Sequence, residues 1–403
     1  TFCMMPWVHF HVTQQSTVTP CCQAPWQEEH SFGNINESTI KEIWNGPKMG
    51  LFRTNMLKGK KDARCARCYE KEASGWKTLR QVTNENYIHH IQRVRDTNRK
   101  GQLKNESPIY FDLRFSNVCN FRCRICGPWS SSKWHKDGLE LGMTNSSSAI
   151  THSIKTPSRV LDEFEKNIDQ VEEIYFAGGE PLMMDEHYQI LELLIKHNKL
   201  NVKLMYNTNF SKLNHKHWDA ITLWSKFSHI NIAASLDDMS HRAELLRKEQ
   251  NWNETINNLA RLKAQAPHVS FMISPTVYIM NVFHLFEFHK YMVEQQHISA
   301  EDFVPTLLIQ PEYYNIRVLP DNLKRDLSEI IDDHLTWLQA SASVNTEKKS
   351  YVIQTFKNLK THMNSGDHSH LLQEFRQITG KLDLIRNEKF QSVFPELNSI
   401  ISS

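Results

Sequence analysis

The sequence predicts an α/β protein: a partial (β/α)6 barrel, with a small cysteine-bearing module before it and a helical region after it. Three observations lead there. Short apolar runs alternate with helical patterns from residue 108 to 318. From Leu319 onward the pattern is helical alone. All eight cysteines lie in two groups, five before residue 69 and three within 119–126.

The barrel elements come in order. Strand candidates are IYFDLRF (109–115), EEIYFAG (172–178), VKLMYNT (202–208), HINIAAS (229–235), VSFMISPTV (269–277) and FVPTLLI (303–309). Between most of them stand helical patterns, namely EHYQILELLIKH, NHKHWDAITLWSKF, NETINNLARLKA and VFHLFEFHKYMV. Such alternation implies right-handed β-α units on a parallel sheet, with six repeats fitting better than eight. Active sites in these folds gather at the carboxyl ends of strands. The Ser-rich stretch 127–157 reads as a long lid or binding loop.

Before the barrel, residues 5–19 read as a hairpin, with Trp7, His9 and His11 alternating against Val8, Phe10 and Val12. Residues 38–57 suggest two short helices broken near Gly46-Pro47. Trp76, Leu79, Val82, Ile88, Ile91 and Val94 follow helical spacing and suggest one connecting helix. The polar stretch QRVRDTNRKGQLKNES reads as a linker, without the interleaved aromatics of a base-stacking surface. The chain thus divides into a module at 1–88, a linker at 89–107, the barrel at 108–318 and the helical region at 319–403.

Composition bounds the function. Hydrophobic residues at 40% can build a core, and a net charge of +2 excludes a bulk polycation. No apolar run approaches the roughly 20 residues of a bilayer span, and the start carries no signal peptide pattern. The expected location is a reducing cytoplasm, where clustered cysteines favour metal over disulfides. Triplets such as Asn105-Glu106-Ser107 then read as chance matches to a glycosylation acceptor.

Cys119, Cys123 and Cys126 stand with three and then two residues between them. Three soft thiolates in an eight-residue loop can converge on an iron–sulfur cluster, and three rather than four leave one iron open. Gly178-Gly179-Glu180-Pro181 falls at the end of the next strand candidate. This pairing resembles the radical S-adenosylmethionine superfamily. The resemblance implies that the open iron of a 4Fe–4S cluster binds S-adenosylmethionine. Reductive cleavage then yields a 5′-deoxyadenosyl radical that takes a hydrogen atom from substrate. It assigns Gly178, Gly179, Glu180 and Pro181 to the methionine end of the cofactor. Thr208 and Asn209 match the family's T-N step, Ser235 and Asp237 the ribose contacts, and Arg247 the methionine carboxylate. Thr208-Asn209 also fits an ordinary strand-end turn, and Ser235 and Asp237 a helix cap. One departure is Ile125, where the family usually has an aromatic residue beside the adenine.

The first five cysteines form a second resemblance. Cys3, Pro20-Cys21-Cys22, Glu42-Ile43-Trp44-Asn45 and Cys65-x-x-Cys68 resemble the twitch module, the shorter relative of the SPASM domain, here placed before the barrel. It implies an auxiliary 4Fe–4S cluster held by Cys3, Cys21, Cys65 and Cys68, with Cys22 as the alternative to Cys21. Gln15-Ser16 stands where many relatives have Gly. Four thiolates with one C-x-x-C also describe a zinc site. Two cluster sites imply oxidation of a small molecule or peptide, by dehydrogenation or bond formation, with an electron donor such as flavodoxin or ferredoxin. Two alternatives stay open: a peptide epimerase, for which Cys22 is the spare thiol, and a non-catalytic zinc-binding interaction protein. Nucleic acid and membrane are not expected partners.

Overall fold

A computed structural model of the chain describes residues 1–73, 77–103, 106–343 and 345–401. The chain divides into two compact units. The first holds Thr1–Val118, Ile150–Tyr206 and Asn214–Ile230; the second holds Cys119–Ala149, Asn207–Leu213 and Asn231–Ser403.

The first unit is built on a sheet in the order β7-β6-β4-β1-β2-β3. These strands are β1 (His9–Val12), β2 (Thr17–Thr19), β3 (Gly33–Asn34), β4 (Tyr110–Leu113), β6 (Glu173–Phe176) and β7 (Lys203–Thr208, of which 203–206 belong to this unit). Strands β1, β4, β6 and β7 run parallel, and β2 and β3 continue antiparallel. The period of two along each strand sorts the faces. Phe10, Phe111, Ile174 and Leu204 share one register row and are buried. The next row, His11, Asp112, Tyr175 and Met205, carries polar groups on the other face. Helices α8 (Pro157–Lys166) and α9 (Asp185–Lys196) bury Val160, Phe164, Ile190 and Leu194, and the Phe164 ring meets Phe111 edge-on at 5.4 Å.

The strand at 9–12 therefore lies beside the first barrel strand, in one continuous sheet. The hairpin begins later than its alternation suggests. Met5–Val8 form a helical turn, α1, because Pro6 fits the first turn of a helix but gives a strand no N–H. Helices α2 (Ile40–Trp44) and α3 (Pro47–Leu57) break at Gly46 as expected. The connecting helix is interrupted: α5 (Leu79–Tyr87) gives way to a 3₁₀ turn at Ile88–His90 and then α6 (Ile91–Arg95). Trp76 lies outside the described residues, as do Lys104 and Asn105 of the linker stretch. The start of that stretch is helical and anchored: buried Arg93 donates to the Trp7 carbonyl at 2.9 Å. The helix expected over 214–227 is preceded by a small hairpin, β8 (Asn214–His215) with β9 (Trp218–Asp219), and reduces to α10 (Ala220–Trp224).

In the second unit β10 (Ile230–Ala234, of which 231–234 belong to this unit) runs parallel to β12 (Ser270–Ile273). The run 269–277 breaks at Pro275, which lacks the N–H a continuous ladder needs. Beyond it β13 (Thr276–Val277) pairs with β14 (Thr306–Leu307). Strand β5 (Arg122–Cys123) pairs antiparallel with β11 (Arg247–Lys248). The loop expected over 127–157 contains helix α7 (His135–Glu140). Helices α11 (Ser240–Leu246), α12 (Trp252–Gln265) and α13 (Leu285–Glu294) follow. The C-terminal region forms α14 (Asp321–Ala340), α15 (Thr346–Met363), α16 (Leu372–Arg386) and α17 (Phe390–Val393). Among the described residues, no helix is long and apolar enough to cross a membrane.

Candidate functional site

In the first unit Cys3, Cys21, Cys65 and Cys68 line one pocket, together with Arg64 and Arg80. The elements that bring them together are α1, the end of β2 and α4 (Ala66–Ala73), whose first turn carries Cys68. Arg64 is fixed by Asp62 at 2.7 Å, and Arg80 by Glu72. Cys22, next in sequence to Cys21, is not among the described residues of that lining. Its thiol instead lies within electrostatic reach of Arg114 and Asp112 on the polar sheet face. Burial pushes the Cys3 thiol up to about 12 and Cys65 to about 11, and raises Cys21 well above the ordinary thiol range. Thiols this poorly ionised by themselves need a bound cation to become thiolates. Among the described residues, no three cysteine sulfurs lie within 4.8 Å of one another. A single tetrahedral zinc at about 2.3 Å from each sulfur would set them about 3.8 Å apart. Four thiols flanked by the guanidinium groups of Arg64 and Arg80 fit an anionic iron–sulfur cluster.

The polar face beside it is well defined. Asp112 takes the Arg114 fork on both oxygens at 3.1 Å, and the His11 Nε2 stands 3.4 Å from Asp112 Oδ2. Burial lowers His11 to about 3, so it is neutral at pH 7. The stem of Arg114 passes under Gly178, where an added Cβ would stand 3.1 Å from it. Gly178 and Gly179 have φ of +84° and +54°. A Cβ on Gly179 would meet the Val118 carbonyl at 2.4 Å, and Glu180 N donates to that same carbonyl at 2.7 Å. Both glycines are thus required for the turn after β6. Glu180 is buried and accepts from Leu182 N at 3.1 Å, and Pro181 opens a 3₁₀ turn.

In the second unit Cys119, Cys123 and Cys126 follow one another around the β5 loop, with Cys126 N donating to the Cys123 carbonyl at 3.0 Å. A hydrogen bond from Cys126, then the charge of Arg247, hold Cys123 below the ordinary thiol range. The Arg247 Nη1 donates to Cys123 Sγ at 3.5 Å. The rest of that guanidinium faces Asp237: Nη2 donates to Oδ1 at 3.0 Å, and Nε lies 2.9 Å from Oδ2. Asp237 is buried and also accepts from Thr276 N at 2.9 Å. The structure therefore brings Asp237 and Arg247 onto each other. Ser235 N donates to the Thr208 carbonyl at 2.8 Å. Asn209 donates to Asn120 at 2.9 Å and accepts from Ser211 Oγ at 2.7 Å, which ties the T-N step to the cysteine loop.

Three features were missed from the sequence. Arg124, Asp383 and Glu388 meet around the cysteine loop across more than 250 residues, and nothing local announces such a contact. Arg64 and Arg80 carry no spacing signature. Among the described residues, the one trio compact enough for a single ion is His89, His90 and Glu172, where His90 Nε2 and Glu172 Oε2 lie 2.8 Å apart. A surface ion pair accounts for it.

Comparison with known proteins agrees with this layout. Residues 3–69 match the iron–sulfur cluster-binding domain SPASM, and residues 113–281 match the radical SAM superfamily. No curated protein matches the chain. Among solved structures, anSMEcpe with bound AdoMet and Cp18Cys peptide is 18% identical, with 55% of this chain and 57% of that one covered at a TM-score of 0.35. The chain thus spans a little over half the length of that structure. SuiB of Streptococcus suis bound to precursor peptide SuiA is 14% identical, with 82% and 69% covered at a TM-score of 0.40. TYW1 with a lysine-pyruvate adduct is 11% identical, with 56% and 71% covered at 0.31. The radical SAM domain implies a 4Fe–4S cluster and S-adenosylmethionine, and the SPASM domain implies auxiliary iron–sulfur binding. The chain carries a radical SAM domain over residues 113–281 and, on its N-terminal side, a SPASM iron–sulfur domain over residues 3–69.

Proposed function

We propose that this enzyme removes a hydrogen atom and then an electron from a small molecule or a peptide, ending in dehydrogenation or formation of a new bond. The observation that carries this reading is the pocket of Cys3, Cys21, Cys65 and Cys68, a second thiol set apart in sequence from Cys119, Cys123 and Cys126. When bound, the 4Fe–4S cluster with S-adenosylmethionine supplies a 5′-deoxyadenosyl radical, and an auxiliary 4Fe–4S cluster supplies an electron acceptor.

The chain's own residues then have distinct tasks. Cys119, Cys123 and Cys126 hold the radical cluster, and Arg247 offsets charge on the Cys123 sulfur through its Nη1. Asp237 holds Arg247 in place, a role its two buried ion-pair contacts support better than a ribose contact. Ser235 takes the ribose, Thr208 and Asn209 shape the floor beside the cysteine loop, and Arg247 keeps the remaining N–H groups of its fork for the methionine carboxylate. Gly178, Gly179, Glu180 and Pro181 provide the backbone turn for the methionine end. Cys3, Cys21, Cys65 and Cys68 hold the auxiliary cluster, with Arg64 and Arg80 balancing its charge. The same reading keeps the domain division at 1–88, 108–318 and 319–403, a cytoplasmic location and a flavodoxin or ferredoxin as reductant.

The test is direct. Reduced, reconstituted protein given S-adenosylmethionine yields 5′-deoxyadenosine. No yield under strong reductant, or a colourless protein holding one zinc, overturns the proposal.

A further inference from the structure

The helical C-terminal region lies beyond the residues matched to either family domain, yet its side chains reach the cysteine loop. Arg124 stands between Cys123 and Cys126 and is 1% exposed. Its Nη2 donates to Asp383 on α16, and to Glu388 Oε2 at 2.6 Å just past that helix. The Phe390 ring lies 5.5 Å from its guanidinium. A second contact runs through Arg386, whose Nε donates to Asp137 Oδ2 at 2.8 Å, both side chains wholly buried. Asp137 also takes Arg122 Nη1 at 3.0 Å. The Arg386 guanidinium stacks on Trp134 at 4.7 Å, and Trp134 Nε1 donates to the Cys123 carbonyl at 2.8 Å. Glu388 reaches the partner strand as well, with Oε1 3.0 Å from Lys248 on β11.

The loop backbone is tied at single points, with Arg124 N donating to the Leu246 carbonyl at 2.8 Å and Ser131 Oγ to the Phe121 carbonyl at 2.6 Å. Among the described residues, its ladder is the two-residue pair β5–β11. Buried guanidinium and carboxylate groups are retained only where partners meet them, and losing one partner strands the other charge in a dry site. Asp383 and Glu388 thus fix where the Arg124 side chain can sit, and Arg124 helps to set the path of the chain between two cysteines.

We propose that the C-terminal region is a clamp on the radical-cluster loop, with Asp383, Glu388 and Arg386 as positioning residues that hold Arg124, Asp137 and Trp134 so that Cys119, Cys123 and Cys126 face one cluster. This rests on those cysteines being the cluster ligands. It gives the region a task in cluster geometry rather than in substrate contact.

The experiment uses the full chain, reconstituted anaerobically, with the auxiliary cluster as an internal control. Asp383→Asn with Glu388→Gln is expected to lose about half of the iron and the electron paramagnetic resonance signal of the loop cluster, while the other signal and the far-ultraviolet circular dichroism stay. Glu388→Gln alone leaves Asp383 on Arg124 and is expected to keep the iron but to shift the midpoint potential of that cluster. Glu388→Asp is expected to restore the parent value. Unchanged iron, spectrum and potential in both carboxylate variants overturn the clamp, as does loss of both clusters together. A variant with Cys119, Cys123 and Cys126 all changed to Ala separates the two claims. If it keeps all its iron the ligand reading fails; if it loses half while the carboxylate variants stay normal, only the clamp fails.

Discussion

Arg247 and Asp237 form a buried couple whose worth can be measured. Asp237 is 0% exposed and Arg247 6%. The carboxylate meets the guanidinium at 3.0 and 2.9 Å and takes Thr276 N at 2.9 Å. Arg247→Met removes the cation and leaves a fully buried carboxylate, which costs about 3–5 kcal/mol. Asp237→Asn keeps the shape but turns an amide N–H toward the guanidinium, and the cost is of the same order. Arg247→Met with Asp237→Leu removes both charges, so most of the penalty is relieved. Thr276 N is then left unpaired, which retains about 1–3 kcal/mol of it. With Asp237→Leu alone stranding the guanidinium at a similar cost of about 3–5 kcal/mol, the interaction energy in the cycle of Arg247→Met and Asp237→Leu is expected to be about 3 kcal/mol or more. The assay is anaerobic urea unfolding of the iron-free chain, read by tryptophan fluorescence. If Arg247→Met falls within about 1 kcal/mol of the parent, or the double variant is as unstable as the sum of the singles, the pair does not carry the site as argued.

Other outcomes follow from the same geometry. Cys21→Ser is expected to drop bound iron from about eight to about four per chain, and Cys22→Ser to leave about eight; iron assays giving the opposite pattern would reverse the ligand choice. Gly179→Ala forces a side chain into the left-handed region and against the Val118 carbonyl, so it should cost about 2 kcal/mol or more. Gly178→Ala should cost less, because its neighbour is the flexible Arg114 stem; thermal midpoints compare the two. Burial holds His11, His187 and His334 down to about 3 each. An unfolded histidine titrates near 6.5, so below that pH the unfolded chain binds protons that the folded chain refuses. This stability is complete above pH 6.5 and is lost as pH falls toward 3, by about 2 kcal/mol per histidine between pH 7 and 5. A flat unfolding midpoint over that range would contradict it.

Much of the molecule is readable from local pattern. The strand candidates at 109–115, 172–178, 202–208 and 229–235 became β4, β6, β7 and β10, because period-two alternation and apolar runs act over a few residues. The helices α9, α12, α13 and α14 followed for the same reason at period 3.6. Reading failed where one residue outweighed the pattern, as Pro6 did in the first hairpin and Pro275 in the run 269–277. Ser16 shows the reverse, holding φ of +69° where the turn would suit glycine.

The amino-acid sequence alone determined the alternation of strands and helices, the two groups of cysteines, and the place of the paired glycines at the end of a strand candidate. Each is a property of residues near one another along the chain. Only the tertiary structure decided that β1 pairs with β4, that Cys21 and not Cys22 lines the thiol pocket, and that Asp383 and Glu388 meet Arg124. Those choices depend on which distant surfaces are buried together. A carboxylate 259 residues from its guanidinium leaves no periodic trace; the two are matched only when packing removes both from water.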